Sequence, residues 1–313
     1  MNKNNKVYIA GHRGLVGSAI VRNLKNKGYE NILTRTSKEV NLTKADQVDA
    51  FFEQNKPEYV FLAAAKVGGI HANNTYPADF IRDNLLIQLN VIDAAYRNGV
   101  TKILFLGSSC IYPKMAPQPI KEEYLLTDSL EPTNDAYAIA KIAGIKMIQA
   151  YKKQYGFNGV NLMPTNLYGP GDNFDLANSH VLPALMRKFH EAKVNSDKTV
   201  TVWGSGKPYR EFLHVDDLAD ASVFLMQNYE SDEIVNVGVG QDVTIAQLAD
   251  IIKKVTGFQG EIVYDASKPD GTPRKLLDVS KINKLGWKAK TSLEGGVRST
   301  YQWYLEQQSE GVN

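Results

Sequence analysis

Three residues in this sequence are of types that can together move a proton onto an oxygen: Ser108, Tyr137 and Lys141. Tyr137-Ala138-Ile139-Ala140-Lys141 opens a stretch of helical character, and residues four apart on a helix share one face. Both polar heads then point the same way. A phenol with a pKa near 10 is a poor acid or base at neutral pH. An ammonium about 4 Å away, at an effective dielectric near 20, is worth about 4 kcal/mol, enough to lower that pKa by about three units. Phenol chemistry then comes within reach of pH 7. A Tyr/Lys pair is common, and Ser108 is what makes this one specific. Leu106-Gly107-Ser108-Ser109-Cys110 closes an apolar run, and open parallel sheets bind ligands at their strand ends. A hydroxyl there can hydrogen-bond a substrate carbonyl oxygen beside the tyrosine.

A second constellation suits a dinucleotide. Gly11-His12-Arg13-Gly14-Leu15-Val16-Gly17 follows the apolar run Val7 to Ala10 and leads into an amphipathic segment. Its glycines stand where a tight turn, close phosphate approach and helix packing each call for a missing side chain. The spacing GxxGxxG is one residue off the GxGxxG form, and its place after a first strand is the context that confirms it. An NAD enzyme carries an acid at the end of the second strand, whereas here Ile32-Leu33-Thr34-Arg35-Thr36-Ser37-Lys38 ends in bases. Arg35, Lys38 and Arg13 would attract a 2′-phosphate where an Asp would repel it, so the expected cofactor is NADP.

The elements that must hold these groups follow from the alternation of short apolar runs with segments of helical period, the pattern of a parallel sheet covered by helices. Strands are expected at Val7 to Ala10, Asn31 to Thr34, Tyr59 to Ala63, Lys102 to Leu106, Val160 to Met163, Thr199 to Trp203 and Ile234 to Val237. Helices are expected at Leu15 to Lys27, Lys44 to Gln54, Asp79 to Asn98, Ala136 to Tyr155 and Ala246 to Thr256, and a strand at Phe212 to Val215 leads into a helix starting at Asp216-Asp217. Tyr168-Gly169-Pro170-Gly171-Asp172-Asn173 reads as a loop passing to a second lobe. The expected division is 1–167 plus about 212–240 for the nucleotide, and about 168–211 plus 241–313 for the substrate.

Composition sets the bounds. The 313 residues are 43% hydrophobic and 22% charged, ordinary globular material with room for a large core and a smaller one. A net charge of +2 without long like-charge runs gives no reason to expect nucleic acid as a partner. No run approaches the roughly 18 apolar residues of a membrane span. With one cysteine, Cys110, no intrachain disulfide can form, and the default expectation is a cytoplasmic enzyme with no metal.

The glycine loop, the Ser after the fourth strand and the Tyr/Lys helix together resemble the extended short-chain dehydrogenase/reductase family. Arg210-Glu211-Phe212-Leu213-His214-Val215-Asp216-Asp217 and Leu285-Gly286-Trp287 extend the resemblance over the whole chain. It implies an α/β fold: a Rossmann-type doubly wound parallel sheet with a smaller, discontinuous α/β substrate-binding lobe. It also implies that Tyr137 donates the proton, that Lys141 also holds the nicotinamide ribose and that Ser108 orients the carbonyl. The cofactor wall would include Gly11, His12, Arg13, Gly14, Leu15, Val16 and Gly17. Further along it would include Arg35, Lys38, Asn41, Leu42, Leu106, Gly107, Ser109, Pro164, Thr165, Asn166, Leu167 and His180. Asn84 resembles a position on the cofactor side and reads equally well as a structural helix residue.

Within that family the reaction could be a 4-epimerisation, a 4,6-dehydration or a combined epimerisation and reduction. Dehydratases carry Asp-Glu after the hydroxyl residue, and this chain has Ser109-Cys110. Cys110 instead offers a soft base of ordinary pKa near 8.5 beside the reacting carbonyl. Hydrogens flanking a C4 ketone are acidified because the enolate charge spreads onto an oxygen that Ser108 and Tyr137 can stabilise. A thiolate on one face and His180 as acid on the other would invert such a carbon. The strings 63–70, 107–113, 164–169, 178–181 and 268–275 resemble the nucleotide-sugar epimerase/reductase branch. That implies GDP-4-keto-6-deoxy-D-mannose as substrate and NADPH as reductant, with Lys188, Trp203, Arg210 and Asp270 holding the substrate, and a homodimer. Ser37 departs from that branch, which has an Arg there. A nucleotide-sugar 4-epimerase and an inactive NADP(H)-sensing protein are the competing readings.

Overall fold

The computed structural model describes residues 1–176, 179–268 and 270–310; Asn178 and Pro269, both within strings quoted above, lie outside the described residues. The first half alternates as expected: β1 (Val7–Ala10), α1 (Leu15–Asn26), β2 (Ile32–Leu33), α2 (Ala45–Asn55), β3 (Tyr59–Leu62), α3 (Ile70–Thr75), α4 (Pro77–Arg97), β4 (Lys102–Leu106), α5 (Asp135–Tyr155) and β5 (Gly159–Pro164). Then follow β6 (Asn166–Tyr168), α6 (Val181–Val194), β7 (Thr199–Trp203), β8 (Tyr209–Arg210), β9 (Phe212–His214), α7 (Val215–Asn228) and β10 (Val235–Val237). The chain ends in β11 (Val243–Thr244), α8 (Ile245–Thr256), β12 (Glu261–Asp265), β13 (Arg274–Lys275), α9 (Ser280–Lys284) and α10 (Leu293–Glu310).

Six strands form one parallel sheet in the order β10-β5-β4-β3-β1-β2. Strands β1, β4 and β5 are buried along their whole length, which is why they read as continuous apolar runs rather than alternations. The strand order reverses between β1 and β3, so the crevice for a ligand opens at the carboxyl ends of the strands, where the glycine loop lies. Helix α5 lies very close to β4. A Cβ on Gly144 would stand 2.4 Å from Phe105 Cζ, so only glycine admits this approach.

Two separate apolar cores accompany this layout. The first joins the central sheet to α1, α2, α4, α5 and α7. The second packs Leu182, Leu185, Met186 and Phe189 of α6 against Leu248 and Ile252 of α8 and Val297 of α10. Leu277, Val279, Ile282 and Trp287 enter the first core. We therefore propose that the substrate-side lobe, drawn from sequence over 241–313, lends its 277–287 segment to the nucleotide lobe.

Several elements escape the sequence reading. Strand β2 is shorter than the expected Asn31 to Thr34, and α3, α6, α9, α10 and the short strands β6, β8, β11, β12 and β13 lie outside the expected elements. Helix α6 carried a usable signal: Leu182, Leu185, Met186 and Phe189 repeat at helical spacing, and Pro183 falls in the first turn, where it is tolerated. Among the described residues no helix is long and apolar enough to cross a membrane.

Candidate active site

The sequence after β4 turns sharply because Ser108 caps a single 3-10 turn, Ser109–Ile111, its hydroxyl accepting from the Cys110 N–H at 3.2 Å. That turn puts Ser108 and Cys110 at the mouth of the sheet, facing α5. Gly107 leaves room for its neighbour: a Cβ there would lie 2.3 Å from Met163 Cε on β5 and would force that side chain to move. On α5 the Lys141 side chain is only 3% exposed, and its ammonium donates to the Leu106 carbonyl at 2.7 Å. Burial pushes the Lys141 pKa down to about 7. Tyr137 lies on the same face, with the Lys141 Nζ 5.8 Å from its ring centroid.

The electrostatics of this pair differ from the sequence expectation. The phenol of Tyr137 is pushed up, chiefly by burial and further by the charge of Cys110, against a smaller opposing effect of the Ser108 hydroxyl. Lys141 does not counter this, because its Nζ is committed to Leu106 and is itself only partly charged at neutral pH. Tyr137 is therefore held protonated, the form from which a proton donor starts.

Cys110 lies beside this centre. Its sulfur accepts from Asn134 Nδ2 at 3.5 Å and from Lys275 Nζ at 3.7 Å. His180 is the residue before α6, and its imidazole makes no capping hydrogen bond. Its pKa is lowered, first by desolvation and then by the positive charge of Lys275. Lys275 thus touches one residue of the expected proton-transfer pair, and its charge acts on the other.

The glycine loop passes a steric test for a phosphate. Gly11 has φ +86, and a Cβ on it would stand 2.7 Å from Ala64 N; a Cβ on Gly17 would stand 2.1 Å from Gly11 O. These two are fixed by the protein itself. Gly14 is not: a Cβ there would meet only Gly11 O, at an ordinary 3.5 Å. The missing side chain at Gly14 leaves room for something outside the chain, and it sits at the start of α1, whose first turn has no acid and no side-chain cap. Free N–H groups at a helix start form an anion site. His12, Arg13, Leu15 and Val16 complete this loop.

Around the end of β2, Arg35 donates to Thr34 O at 2.7 Å and lies over the Phe51 ring, while Arg13 and Lys38 are exposed. None of the three forms an ion pair among the described residues. The nearby acid Glu39 has its carboxylate occupied by Thr36, through both the N–H and the hydroxyl. Asn41 holds the next turn by accepting from Thr43, and the Leu42 carbonyl is tied to Asn90 of α4. Asn84 is buried and spends its amide on Lys66 N, Lys66 O and Phe80 O, fixing the loop after β3.

At the far wall, β5 ends at Pro164, Thr165 crosses to β6, and Asn166 and Leu167 open that strand, which pairs with β9. Here stands the residue that sequence reasoning passed over. Glu211 is fully buried, and its carboxylate accepts from the N–H groups of Val239 at 2.6 Å, Gly240 at 2.7 Å and Leu277 at 3.0 Å. Its backbone carbonyl accepts from Thr165 Oγ1 and Asn166 Nδ2. One residue therefore joins the expected cofactor wall to the segment that carries Lys275. Nothing in the local sequence separates such a glutamate from a surface one, because its partners are distant in the chain.

The four expected substrate residues form two adjacent groups. Trp203 on β7 is 63% exposed, with the ammonium groups of Lys188 and Lys268 at 4.9 Å and 5.4 Å from its ring. Arg210 on β8 pairs in register with Lys275 of β13, and its positive charge faces Asp270. Asp270 accepts from Ser205 N at 2.6 Å and Ser205 Oγ at 2.7 Å, so it shapes the 204–206 turn.

Known proteins share this sequence and fold. A family model described as the NAD dependent epimerase/dehydratase family matches residues 7–238. The chain is 64% identical to GDP-L-fucose synthase 1 of Arabidopsis thaliana over 305 residues, 97% of this chain and 94% of that protein. It is 56% identical to the GDP-L-fucose synthase of Escherichia coli K12 over 312 residues, 97% of each chain. Among solved structures, a GDP-mannoheptose C4 reductase from Campylobacter jejuni with NADP bound is 42% identical, with a TM-score of 0.92 over 97% of this chain and 99% of that one. The chain belongs to the NAD dependent epimerase/dehydratase family and, within it, to the GDP-L-fucose synthase branch.

Proposed function

We propose that this protein converts GDP-4-keto-6-deoxy-D-mannose to GDP-L-fucose, inverting C3 and C5 of the sugar and then reducing its C4 ketone. The chain is an NADP-dependent enzyme of GDP-sugars, and the residues named above fit NADPH, which when bound supplies hydride to C4. Ser108 and Tyr137 hold the carbonyl oxygen, Tyr137 gives it a proton, and Lys141 fixes the tyrosine's neighbourhood through Leu106. Cys110 removes the hydrogen at the carbon to be inverted. His180 returns one from the opposite face. Lys188 and Arg210 suit the diphosphate, and the exposed face of Trp203 suits a ring of the substrate. We place the enzyme in the cytoplasm as a homodimer through α4 and α5, which light scattering tests.

What supports the epimerase half is the Lys275 ammonium, 3.7 Å from the Cys110 sulfur and near enough for its charge to lower the His180 pKa. A reading as a C4 reductase without inversion is favoured by the similarity to the Campylobacter enzyme. The two part in deuterated water. Under the combined reading the wild type with NADPH yields GDP-L-fucose labelled at C3 and C5, Cys110→Ser loses the label, and Tyr137→Phe retains exchange while reduction stops. An unlabelled product epimeric only at C4 would establish the plain reductase instead.

A further inference from the structure

We propose that Lys275 is a positioning residue for the inversion steps, its ammonium holding the Cys110 sulfur as a thiolate base opposite His180. The consequence for catalysis rests on the function proposed above, while the charge pairing itself does not. The geometry is specific. Lys275 Nζ lies 3.7 Å from Cys110 Sγ, and the Lys275 charge is felt at His180. No acid competes for this ammonium: among the described residues Lys275 makes no salt bridge, although its strand neighbour Arg274 is paired with Asp242. Its backbone is held in place from two sides, by the pairing of β13 with β8 and by the Leu277 N–H on Glu211.

The groups facing the sulfur are few. From α5 comes Tyr137, protonated and unable to supply positive charge; Asn134 and Ser108 contribute only neutral contacts. Among the described residues Lys275, from β13, is the one cation in contact with the sulfur, and its charge also acts on His180 at the start of α6. In the step itself, the sugar C–H bond breaks and an S–H bond forms, while the electron pair moves onto the C4 oxygen. A His180 N–H bond then breaks as the new C–H forms on the other face. Each inversion leaves a thiol and a neutral imidazole, which return to the starting state by exchange of protons with water before the next carbon is inverted. A nearby fixed cation favours the thiolate at the start and favours release of the imidazole proton.

Because the chain has a single cysteine, the sulfur can be titrated directly in the full-length protein. The rate of alkylation by iodoacetamide is followed against pH for the wild type, Lys275→Met and Lys275→Arg. One charge at this distance, screened nearly as in water, moves the half-maximal pH by about one unit, so Lys275→Met should react about tenfold more slowly at neutral pH. Lys275→Arg should keep the wild-type profile. Solvent-deuterium incorporation into the keto sugar should fall in Lys275→Met and recover as pH is raised. Superimposable alkylation profiles for wild type and Lys275→Met would overturn the proposal, as would an arginine variant displaced as far as the methionine one. Retained NADPH binding checks the fold, and Lys275→Gln replaces Lys275→Met if that variant misfolds. A shifted alkylation profile together with exchange that persists in Cys110→Ser would leave the charge pairing standing and refute only the reading of Cys110 as the base.

Discussion

Replacing Lys141 by methionine should make the cofactor-free protein more stable at neutral pH while ending reduction. Lys141 is 3% exposed, and its pKa is pushed down to about 7 by burial, against an unfolded value near 10.4. At pH 7 the folded chain must therefore give up or poorly solvate a proton that the unfolded chain binds freely. At 1.36 kcal/mol per unit this costs about 4 kcal/mol. Methionine removes that cost and keeps most of the side-chain volume. It also loses the hydrogen bond to the Leu106 carbonyl, worth about 2 kcal/mol for a partly charged donor. The net gain is about 2 kcal/mol, or about 3 °C in Tm for a chain of this length at about 2 cal/mol/K per residue. The sign with pH is a sharper check. The folded-state pKa is depressed, so between about 7 and 10.4 the unfolded state binds more protons and wild-type stability rises with pH through this window. The variant lacks that slope. Thermal melts of both proteins without cofactor from pH 6.5 to 10 should show an advantage for Lys141→Met that shrinks and then reverses. A variant less stable than wild type at pH 7, or a Tm difference that does not vary with pH, would refute the argument. Steady-state reduction by Lys141→Met should fall at least about 100-fold, the scale of losing a group that organises proton transfer.

The glycine loop offers a paired test: Gly17→Ala, whose Cβ would lie 2.1 Å from Gly11 O, should lower Tm by several degrees, whereas Gly14→Ala should leave Tm unchanged and weaken NADPH binding at least about tenfold in a fluorescence titration. Arg35→Ala combined with Lys38→Ala should weaken NADPH by about 2 to 3 kcal/mol with little effect on NADH, read as separate dissociation constants. Glu211→Ala strips the acceptor from three backbone N–H groups and should cost about 3 to 5 kcal/mol in urea unfolding.

The parts of the fold that could be read in the sequence are those set by short-range pattern. Strands β1, β3, β4 and β5 stand where continuous apolar runs predicted them, and the glycine loop stands where its context placed it, because burial on both faces of a parallel sheet writes itself into consecutive residues. The spacing of Tyr137 and Lys141 likewise put both on one helix face. Their charge states could not be read that way. Spacing says nothing of depth, and depth decides that Lys141 is only partly charged and Tyr137 firmly protonated. Lys275 and Glu211 were hidden for a different reason. Each acquires its role only when β8, β13 and the 239–240 turn converge, and no periodicity encodes a meeting of segments that far apart.

That convergence bears on how two reactions share one site. Ser108 follows β4, and Tyr137 and Lys141 lie on α5, two elements packed into the first core, so the reducing half of the proposed site is assembled by a single core. The inverting half is divided: Cys110 follows β4, while His180 precedes α6 of the second core and Lys275 lies on β13. The geometry of the proposed inverting half depends on how these segments are joined, and Glu211 is one such joint, tying Thr165 and Asn166 to the segment after Lys275. A disturbance at this joint therefore reaches proton transfer at carbon before it reaches proton transfer at oxygen. Glu211→Gln, which keeps one carboxamide oxygen for the N–H donors, should slow solvent-deuterium exchange more than it slows NADPH oxidation measured with an already inverted keto sugar. Equal loss in both assays would mean that the two halves are held by one framework.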